Sequence, residues 1–190
     1  VGRGGVKTAQ KVLQCAREAL LPPPDITAVL THRLQADFAL FQTVLARLAA
    51  LQAEAEQLVP GSPAEVLTSV SGISPFLAAR YFAGVGHHRR FTSAGQVWAF
   101  AGLDPLSGDS GDTRHAGHIS KKGDPAFRDA LYLIGLHTSR QCPAIAAAKR
   151  RALRRGLGQA GAVLHAAHKA NRLCWHLLYH QERYDPARHR

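Results

Sequence analysis

Methionine is absent from this 190-residue chain, and cysteine is scarce. A sequence that starts at Val1 and holds no methionine anywhere predicts a piece of a longer protein. The three cysteines (Cys15, Cys142 and Cys174) are odd in number and far apart, which argues against a disulfide framework and favours a reducing compartment. No stretch reaches the roughly 18 uninterrupted apolar residues of a membrane-spanning helix, and no signal-peptide pattern opens the chain. We therefore expect a cytoplasmic protein with no membrane partner.

Acidic residues are in short supply in one part of the sequence only. Residues 1–113 hold nine Lys/Arg and nine Asp/Glu, whereas residues 114–190 hold fifteen and four, so the second part carries the whole net charge of +11. Eight of the eleven histidines also lie there. Clustered Lys and Arg attract phosphates because binding releases counterions, which points to nucleic acid as a partner. A solvated basic face is the alternative interpretation.

Helical periodicity, by contrast, is plentiful. Residues 1–20 are predicted as a helix that ends at Pro22–Pro24, because proline lacks a donor and restricts the residue before it. Asp25 is placed to cap the helix that follows. Between Ile26 and Leu58 apolar residues recur at a spacing of seven on two seams. One seam holds Leu34, Phe41, Leu48 and Ala55, and the other holds Leu30, Val44, Leu51 and Leu58, with Asp37 as its one polar position. This spacing predicts one long helix, either in a coiled coil or packed on its own domain.

Residues 62–82 predict two helices joined by a tight turn. The first starts with a capping-box pattern, Ser62-Pro63-Ala64-Glu65, and the turn contains Gly72 and Ser74. Such a unit resembles the helix-hairpin-helix of DNA-binding proteins, in which turn amides and a helix N-terminus face a phosphate. Ser74 stands where the usual turn has a second glycine. Plain packing of two helices is the alternative interpretation.

The segment between Leu106 and Ile119 is rich in glycine and polar residues and almost devoid of aliphatic side chains. Loops of this length inside compact domains are usually functional. Ser107 and Ser110 are the candidate nucleophiles, although serine beside glycine is more often part of a turn. Residues 113–120 also allow a short β-hairpin.

The last predicted helix, from Ala162 to Tyr179, is basic and rich in histidine. Four histidines lie in and next to it: His165, His168, His176 and His180. Their spacings include three and four residues, which suits a zinc ion. Lys169 and Arg172 share the histidine-bearing face, however, and their charges would repel a cation. We therefore predict a basic polar stripe and no metal site.

These elements predict a mainly all-α fold. Residues 1–24 are expected to form a tail and linker, residues 25–60 a coiled-coil helix, and residues 61–190 a compact helical domain with the helix-hairpin-helix unit and the Gly/Ser-rich loop. The residues expected to bind nucleic acid are Gly72, Ser74, Arg89, Arg90, Arg114, Lys121, Lys122, Arg128, Lys149, Arg150, Arg151, Arg154, Arg155, Lys169 and Arg172.

Several blocks of residues in a fixed order carry a resemblance to a known family. They are Gly72-Ile73-Ser74, Arg90-Phe91, Ala101-Gly102-Leu103-Asp104-Pro105, Ser110-Gly111, Gly117-His118-Ile119-Ser120-Lys121, Asn171-Arg172-Leu173 and Tyr184-Asp185-Pro186. This succession, over about residues 62–186, resembles the C-terminal domain of the "one-ten" insertion-sequence transposases, the family that includes the pilin-gene invertases. The heptad helix before it resembles that family's coiled coil.

The resemblance implies a bacterial, nucleoid-associated DNA recombinase. Family members pair this domain with an N-terminal RuvC-like domain, expected to be missing here, whose acidic residues hold Mg²⁺, so this chain is expected to bind no cofactor itself. Their partners are double-stranded DNA and, in the transposase branch, a structured guide RNA. Their catalytic serine forms a transient phosphoserine link to DNA, and by position that serine is Ser110, with Ser107 as the fallback. A homo-oligomer, dimer or tetramer, is expected through the coiled coil.

The chemistry agrees with the residues available. A serine hydroxyl is a weak nucleophile that needs a base or a metal, and the charged phosphorane needs cations, for which Arg114, Lys121, Lys122 and Arg128 are at hand. Without the metal carboxylates, the isolated chain is expected to be inactive. The alternatives are a non-catalytic helix-hairpin-helix nucleic-acid-binding module and a scaffold that acts through the heptad helix alone.

Overall fold

A computed structural model describes residues 3–19, 22–87, 89–106 and 118–188. The fold is mainly helical, which confirms the predicted class. The candidate nucleophiles Ser107 and Ser110 and the cation Arg114 lie outside the described residues. The chain divides into two compact units, Val1–Ala49 and Ala50–Arg190.

The N-terminal unit is built from two helices, and the second continues into the C-terminal unit. Helix α1 spans Arg3–Glu18 and helix α2 spans Pro24–Gln57. Because α2 begins at Pro24, Asp25 lies in its first turn and is not its cap. No described residue of α2 is buried. Helix α2 is also long and apolar enough to cross a membrane. This is weak evidence for a membrane span, because core helices of soluble proteins and signal sequences have the same length and composition.

The predicted hairpin unit opens with a 3₁₀ helix, Pro63–Ser69, where the sequence had indicated an ordinary helix. Two hydroxyl groups donate to carbonyl oxygens three residues earlier: Ser69 to Val66 at 2.5 Å and Thr68 to Glu65 at 2.7 Å. The capping-box pattern is present with a shifted partner, since the Glu65 carboxylate accepts from the Gly61 amide at 2.8 Å. Helix α3 then spans Pro75–Val85 and ends at Gly86.

The rest of the C-terminal unit consists of four helices and one short strand pair, in the part of the chain that the structure describes. Helix α4 spans Ala94–Phe100, α5 Pro125–Gln141, α6 Pro143–Arg154 and α7 Gln159–His180. Strand β1 (Pro105–Leu106) pairs antiparallel with β2 (His118–Ile119). The second strand lies within the 113–120 region where the sequence allowed a hairpin, and the first lies upstream of it.

The core of the C-terminal unit lies where α5 crosses α7. A Cβ atom on Gly135 would lie 2.6 Å from the Cα of Ala167, so only a glycine lets the two helices approach this closely. A buried polar contact fixes α3 and α4 on α7: the Tyr81 hydroxyl lies 3.0 Å from Asn171 Oδ1, and Asn171 Nδ2 donates to the Ala94 carbonyl at 2.8 Å. Burial raises the pKa of Tyr81 well above its usual range, so this hydroxyl stays protonated and able to donate.

The segment after α7 is tied back onto the domain. The Tyr184 amide donates to Ser69 Oγ at 2.8 Å, and the Tyr184 hydroxyl lies 3.4 Å from Cys142 Sγ. Burial, followed by the contact with Cys142, raises the pKa of Tyr184 to about 12. Arg183 forms an ion pair with Glu65 at 2.9 Å. These contacts place Arg183 and Tyr184 beside the 3₁₀ helix and the junction of α5 and α6.

Candidate nucleic-acid interface

Backbone hydrogen bonds join residues 102–106, before the candidate serines, to residues 118–121, after them; we call this paired region the stem. The Lys121 amide donates to the Gly102 carbonyl at 2.9 Å, and the Ser120 amide donates to the Asp104 carbonyl at 2.8 Å. Strands β1 and β2 extend this pairing to Leu106 and His118. Leu106, the last described residue before the candidate serines, is therefore directly paired with His118, the first described residue after them.

Two glycines allow the sides of the stem to approach closely. Gly102 has a φ of +68°, and a Cβ atom there would lie 2.9 Å from the Lys122 amide nitrogen. A Cβ atom on Gly123 would lie 2.3 Å from the Phe100 carbonyl oxygen. Since these contacts are with backbone, no side-chain adjustment can relieve them, and the geometry of the stem requires glycine at both positions.

Arg128 braces the same stem from α5. Its Nη1 donates to the carbonyl oxygens of Ala101 at 3.1 Å and Lys121 at 3.4 Å, one on each side of the stem. A charged donor shared by two carbonyls is a strong contact. The sequence placed Arg128 among the nucleic-acid-binding cations; the structure gives its guanidinium an internal partner, and a role at phosphate stays a prediction. Lys121 and Lys122, by contrast, are exposed beside the stem.

The turn of the hairpin unit is held by contacts within the protein. Gly72 has a φ of +99°, and a Cβ atom there would lie 2.9 Å from the backbone of His137 in α5. Ser74 Oγ accepts from the Leu77 amide at 3.2 Å and so caps α3. Packing against α5 therefore explains the glycine at position 72, and capping of α3 explains the serine at position 74. Contact of either residue with phosphate stays a prediction.

Arg89 and Arg90 follow α3 and are both exposed. The guanidinium of Arg90 lies over two aromatic rings, 4.9 Å from the centroid of Phe91 and 4.6 Å from that of Phe100. Stacking of this kind orients the side chain and leaves its edge donors available.

Helix α6 presents the densest group of cations. Arg150, Arg151, Arg154 and Arg155 are all exposed at or just after its C-terminal end, and Lys149 is half-buried. Within the described ranges none of these five forms an ion pair with a carboxylate. Asp129 pairs with Arg80 at 2.8 Å, and Asp124 caps α5. An uncompensated row of guanidinium groups is suited to a phosphate backbone.

The basic stripe on α7 faces a cavity of about 660 Å³. Lys169 and Arg172 line it, as predicted residues, together with Arg188 and Trp175, which the sequence reasoning missed. Trp175 follows Arg172 by three residues on α7, a spacing that could have placed it on the same face, whereas Arg188 lies beyond the helix and no local pattern could have found it. The pKa of His168 is lowered by partial burial and then by the charges of Arg172 and His165, which marks this wall as electropositive.

The rings of His176 and His180 contact each other, with centroids 4.5 Å apart, and other histidine contacts on α7 are with different residue types. His176 Nε2 lies 2.6 Å from Glu182 Oε1, and the His168 ring meets the Trp98 ring edge-on with centroids 5.0 Å apart. Among the described residues, no group of three or more His, Cys, Asp or Glu side chains is placed to hold a metal ion.

The sequence of the central part of the chain is similar to that of known proteins. Residues 64–152 match the protein family described as "Transposase IS116/IS110/IS902 family". An 85-residue stretch, 44% of the chain, is 32% identical to the insertion element IS110 uncharacterized 43.6 kDa protein of Streptomyces coelicolor. The chain spans 21% of the length of that relative. The matched family segment begins in the 3₁₀ helix, contains the loop and its stem, and ends in α6. The central part of this chain is therefore similar to the IS110-type transposases.

Proposed function

We propose that this chain is the serine-bearing, nucleic-acid-binding part of an insertion-sequence DNA transposase. The observation that carries the proposal is the extent of the family match, since residues 64–152 include Ser107, Ser110 and both sides of the stem. The stem fixes the two ends of the loop, and the exposed Lys121 and Lys122 flank it. A reactive loop on a rigid, cationic base is well suited to meet a phosphodiester.

In the proposed reaction, Ser110 is the nucleophile and Ser107 the fallback. The Ser110 oxygen attacks the phosphorus of a DNA phosphodiester, the bond to the leaving deoxyribose oxygen breaks, and the serine proton passes to a base. The DNA stays linked as a phosphoserine until a strand hydroxyl attacks the same phosphorus and releases the serine. Lys121 and Lys122 offset the charge of the phosphorane. Mg²⁺, held by a RuvC-like domain outside this chain, would activate the hydroxyl groups.

The test uses the longest reading frame that contains this chain, with Ser110→Ala and the matched control Ser107→Ala. Supercoiled DNA of the parent element is incubated with each protein and Mg²⁺, and covalent protein–DNA adducts are separated on a denaturing gel. We expect Ser110→Ala to abolish the adduct without loss of DNA binding, and Ser107→Ala to retain it. The reverse pattern would move the nucleophile to Ser107. Unchanged adduct formation in both variants would contradict the serine mechanism.

The same proposal gives the 190-residue chain a limited activity. Because the proposed reaction also needs the metal carboxylates of a RuvC-like domain, we expect these 190 residues by themselves to bind DNA and, with Mg²⁺ present, to exchange no strands. A guide RNA, a dimer or tetramer formed through α2, and a place with the nucleoid in the bacterial cytoplasm are parts of the same proposal.

A non-catalytic nucleic-acid-binding module is the second candidate, because the uncompensated arginines of α6 would serve it equally well. It predicts tight binding in both serine variants and no covalent adduct in either of them or in the unaltered protein. The gel assay above separates the two functions.

A further inference from the structure

The cavity beside α7 has an apolar floor. It opens between the start of α4, the start of α6 and the middle of α7, and its apolar lining comes from Ala94, Ala144, Ile145, Leu173 and Trp175. Its volume, about 660 Å³, falls in the range of sites that take small organic groups. The indole of Trp175 is fixed in place, since its Nε1 donates to the Phe91 carbonyl at 3.1 Å. A fixed aromatic ring in a concave apolar surface is suited to hold another flat ring.

The rim of the same cavity is cationic. Lys169, Arg172 and Arg188 line it, and His168 and His176 lie between them. Glu182 pairs with this rim, at 2.6 Å from His176 and 3.9 Å from Arg188. Arg172 is exposed and has no carboxylate partner in the described ranges. The rim therefore keeps an excess of positive charge next to an apolar floor.

A second cavity continues this groove toward α6. It has a volume of about 400 Å³ and shares Ala144 and Lys169 with the first. Arg151 lines it, so the groove joins the exposed arginines at the end of α6. A chain with a phosphate at each step can follow the groove and meet a cation at either end.

We propose that this groove binds an unpaired stretch of nucleic acid, with one base on the floor beside Trp175 and its phosphate on Arg172 and Lys169. The proposal rests on the nucleic-acid-binding part of the proposed function and is independent of the serine. In a duplex the faces of the bases are covered by stacking, so only an unpaired base can contact the apolar floor. Proteins that bind single strands commonly stack a base on an aromatic ring. DNA and RNA share this chemistry.

The test uses fluorescence of the 190-residue chain. The chain has two tryptophans, so Trp98→Phe leaves Trp175 as the sole emitter. We expect short oligo(dT) or oligo(U) to quench Trp175 and a blunt duplex to leave its emission unchanged. We expect Arg172→Gln to weaken single-strand binding about tenfold, or about 1.4 kcal/mol, because it removes the charged contact with the phosphate. Arg17→Gln, which removes the same charge from an exposed arginine of α1 that lines neither cavity, is the matched control.

Each outcome bears on one of the two proposals. Tighter binding of oligo(U) assigns the groove to RNA and tighter binding of oligo(dT) assigns it to DNA, and either supports the groove. Equal effects of Arg172→Gln and Arg17→Gln, or equal quenching by duplex, would overturn the groove while nucleic-acid binding stands. Failure of all three probes to bind would overturn both proposals. If Trp98→Phe does not fold by circular dichroism, anisotropy of labelled oligo(dT) with the two arginine variants decides the matter.

Discussion

At the scale of single residues, Arg128 is the position where a structural and a functional role make opposite predictions. Its guanidinium joins the two sides of the stem through the Ala101 and Lys121 carbonyls. Lysine keeps the charge, but its flexible ammonium group replaces the planar guanidinium whose Nη1 is held between the two carbonyls. If Arg128 is a brace, Arg128→Lys and Arg128→Gln both lower the free energy of unfolding, by about 1–3 kcal/mol.

Urea denaturation of the two variants measures that loss, and Lys122→Gln is the control, since Lys122 is exposed beside the same stem. We expect the control to change the unfolding free energy by no more than about 0.5 kcal/mol. If Arg128 instead binds a phosphate, Arg128→Gln leaves the unfolding free energy unchanged and reduces the salt dependence of DNA binding. Arg128→Lys then preserves both the unfolding free energy and the salt dependence.

Individual residues also show where sequence reasoning ended. The caps at Ser62, Ser74 and Ser93 act within three residues, and each is visible as a local pattern. Gly72 and Gly123 are required because backbone from distant segments approaches them, His137 in one case and Phe100 in the other. A sequence shows that a glycine is present and not what it approaches. The turn glycine was therefore assigned to phosphate, and its contact with α5 could not be foreseen.

At the scale of elements, α2 poses the question of what covers its apolar side chains. Leu34 is 70% exposed on the heptad seam, and Val29 is 68% exposed off it. If the seam forms a coiled coil, Leu34→Lys places a charge in the interface and Val29→Lys does not. We expect Leu34→Lys to raise the dissociation constant of the oligomer at least about tenfold, because a buried leucine contributes roughly 1.5–3 kcal/mol.

Sedimentation velocity over a range of protein concentrations measures this constant, with Val29→Lys as the matched control. A monomeric wild-type chain would contradict the coiled coil. Association with lipid vesicles on a flotation gradient, weakened equally by the two substitutions, would contradict it as well and favour the membrane interpretation that the length and composition of α2 also allow.

The elements themselves were largely predictable because their signals are local. Proline and cap residues mark the starts of α3, α5 and α6, and the heptad pattern marks α2. The 3₁₀ helix was not predicted as such, since the hydroxyls of Thr68 and Ser69 that bond back to carbonyls are common in ordinary helices as well. The cavity of Arg172, Trp175 and Arg188 is formed by four separate segments, and no periodicity within any one of them reports it.

At the scale of the whole molecule, the separation of charge is the feature that connects sequence to function. The net charge of +11 lies entirely in residues 114–190, and the exposed arginines of α6 are its most concentrated part. A long-range effect of net charge and direct contact with phosphates both strengthen DNA binding at low salt. The two effects respond differently to the loss of a charge. A long-range effect is weakened by removal of a charge anywhere in the protein, whereas a direct contact releases counterions at a fixed position, so removal of a charge at that position lowers the salt dependence of binding.

Two triple variants with the same loss of charge separate these effects. Arg150, Arg154 and Arg155 are replaced by glutamine in one, and Lys7, Lys11 and Arg17 of α1 in the other. Anisotropy of a labelled duplex over a series of KCl concentrations gives the slope of log K against log[KCl]. Each phosphate contact contributes about 0.9 to that slope, so loss of three contacts reduces it by roughly 2.7 in the α6 variant, and the α1 variant keeps the wild-type slope. Equal slopes in the two variants would mean that the basic half attracts DNA through net charge alone, and the interface on α6 would then have to be abandoned.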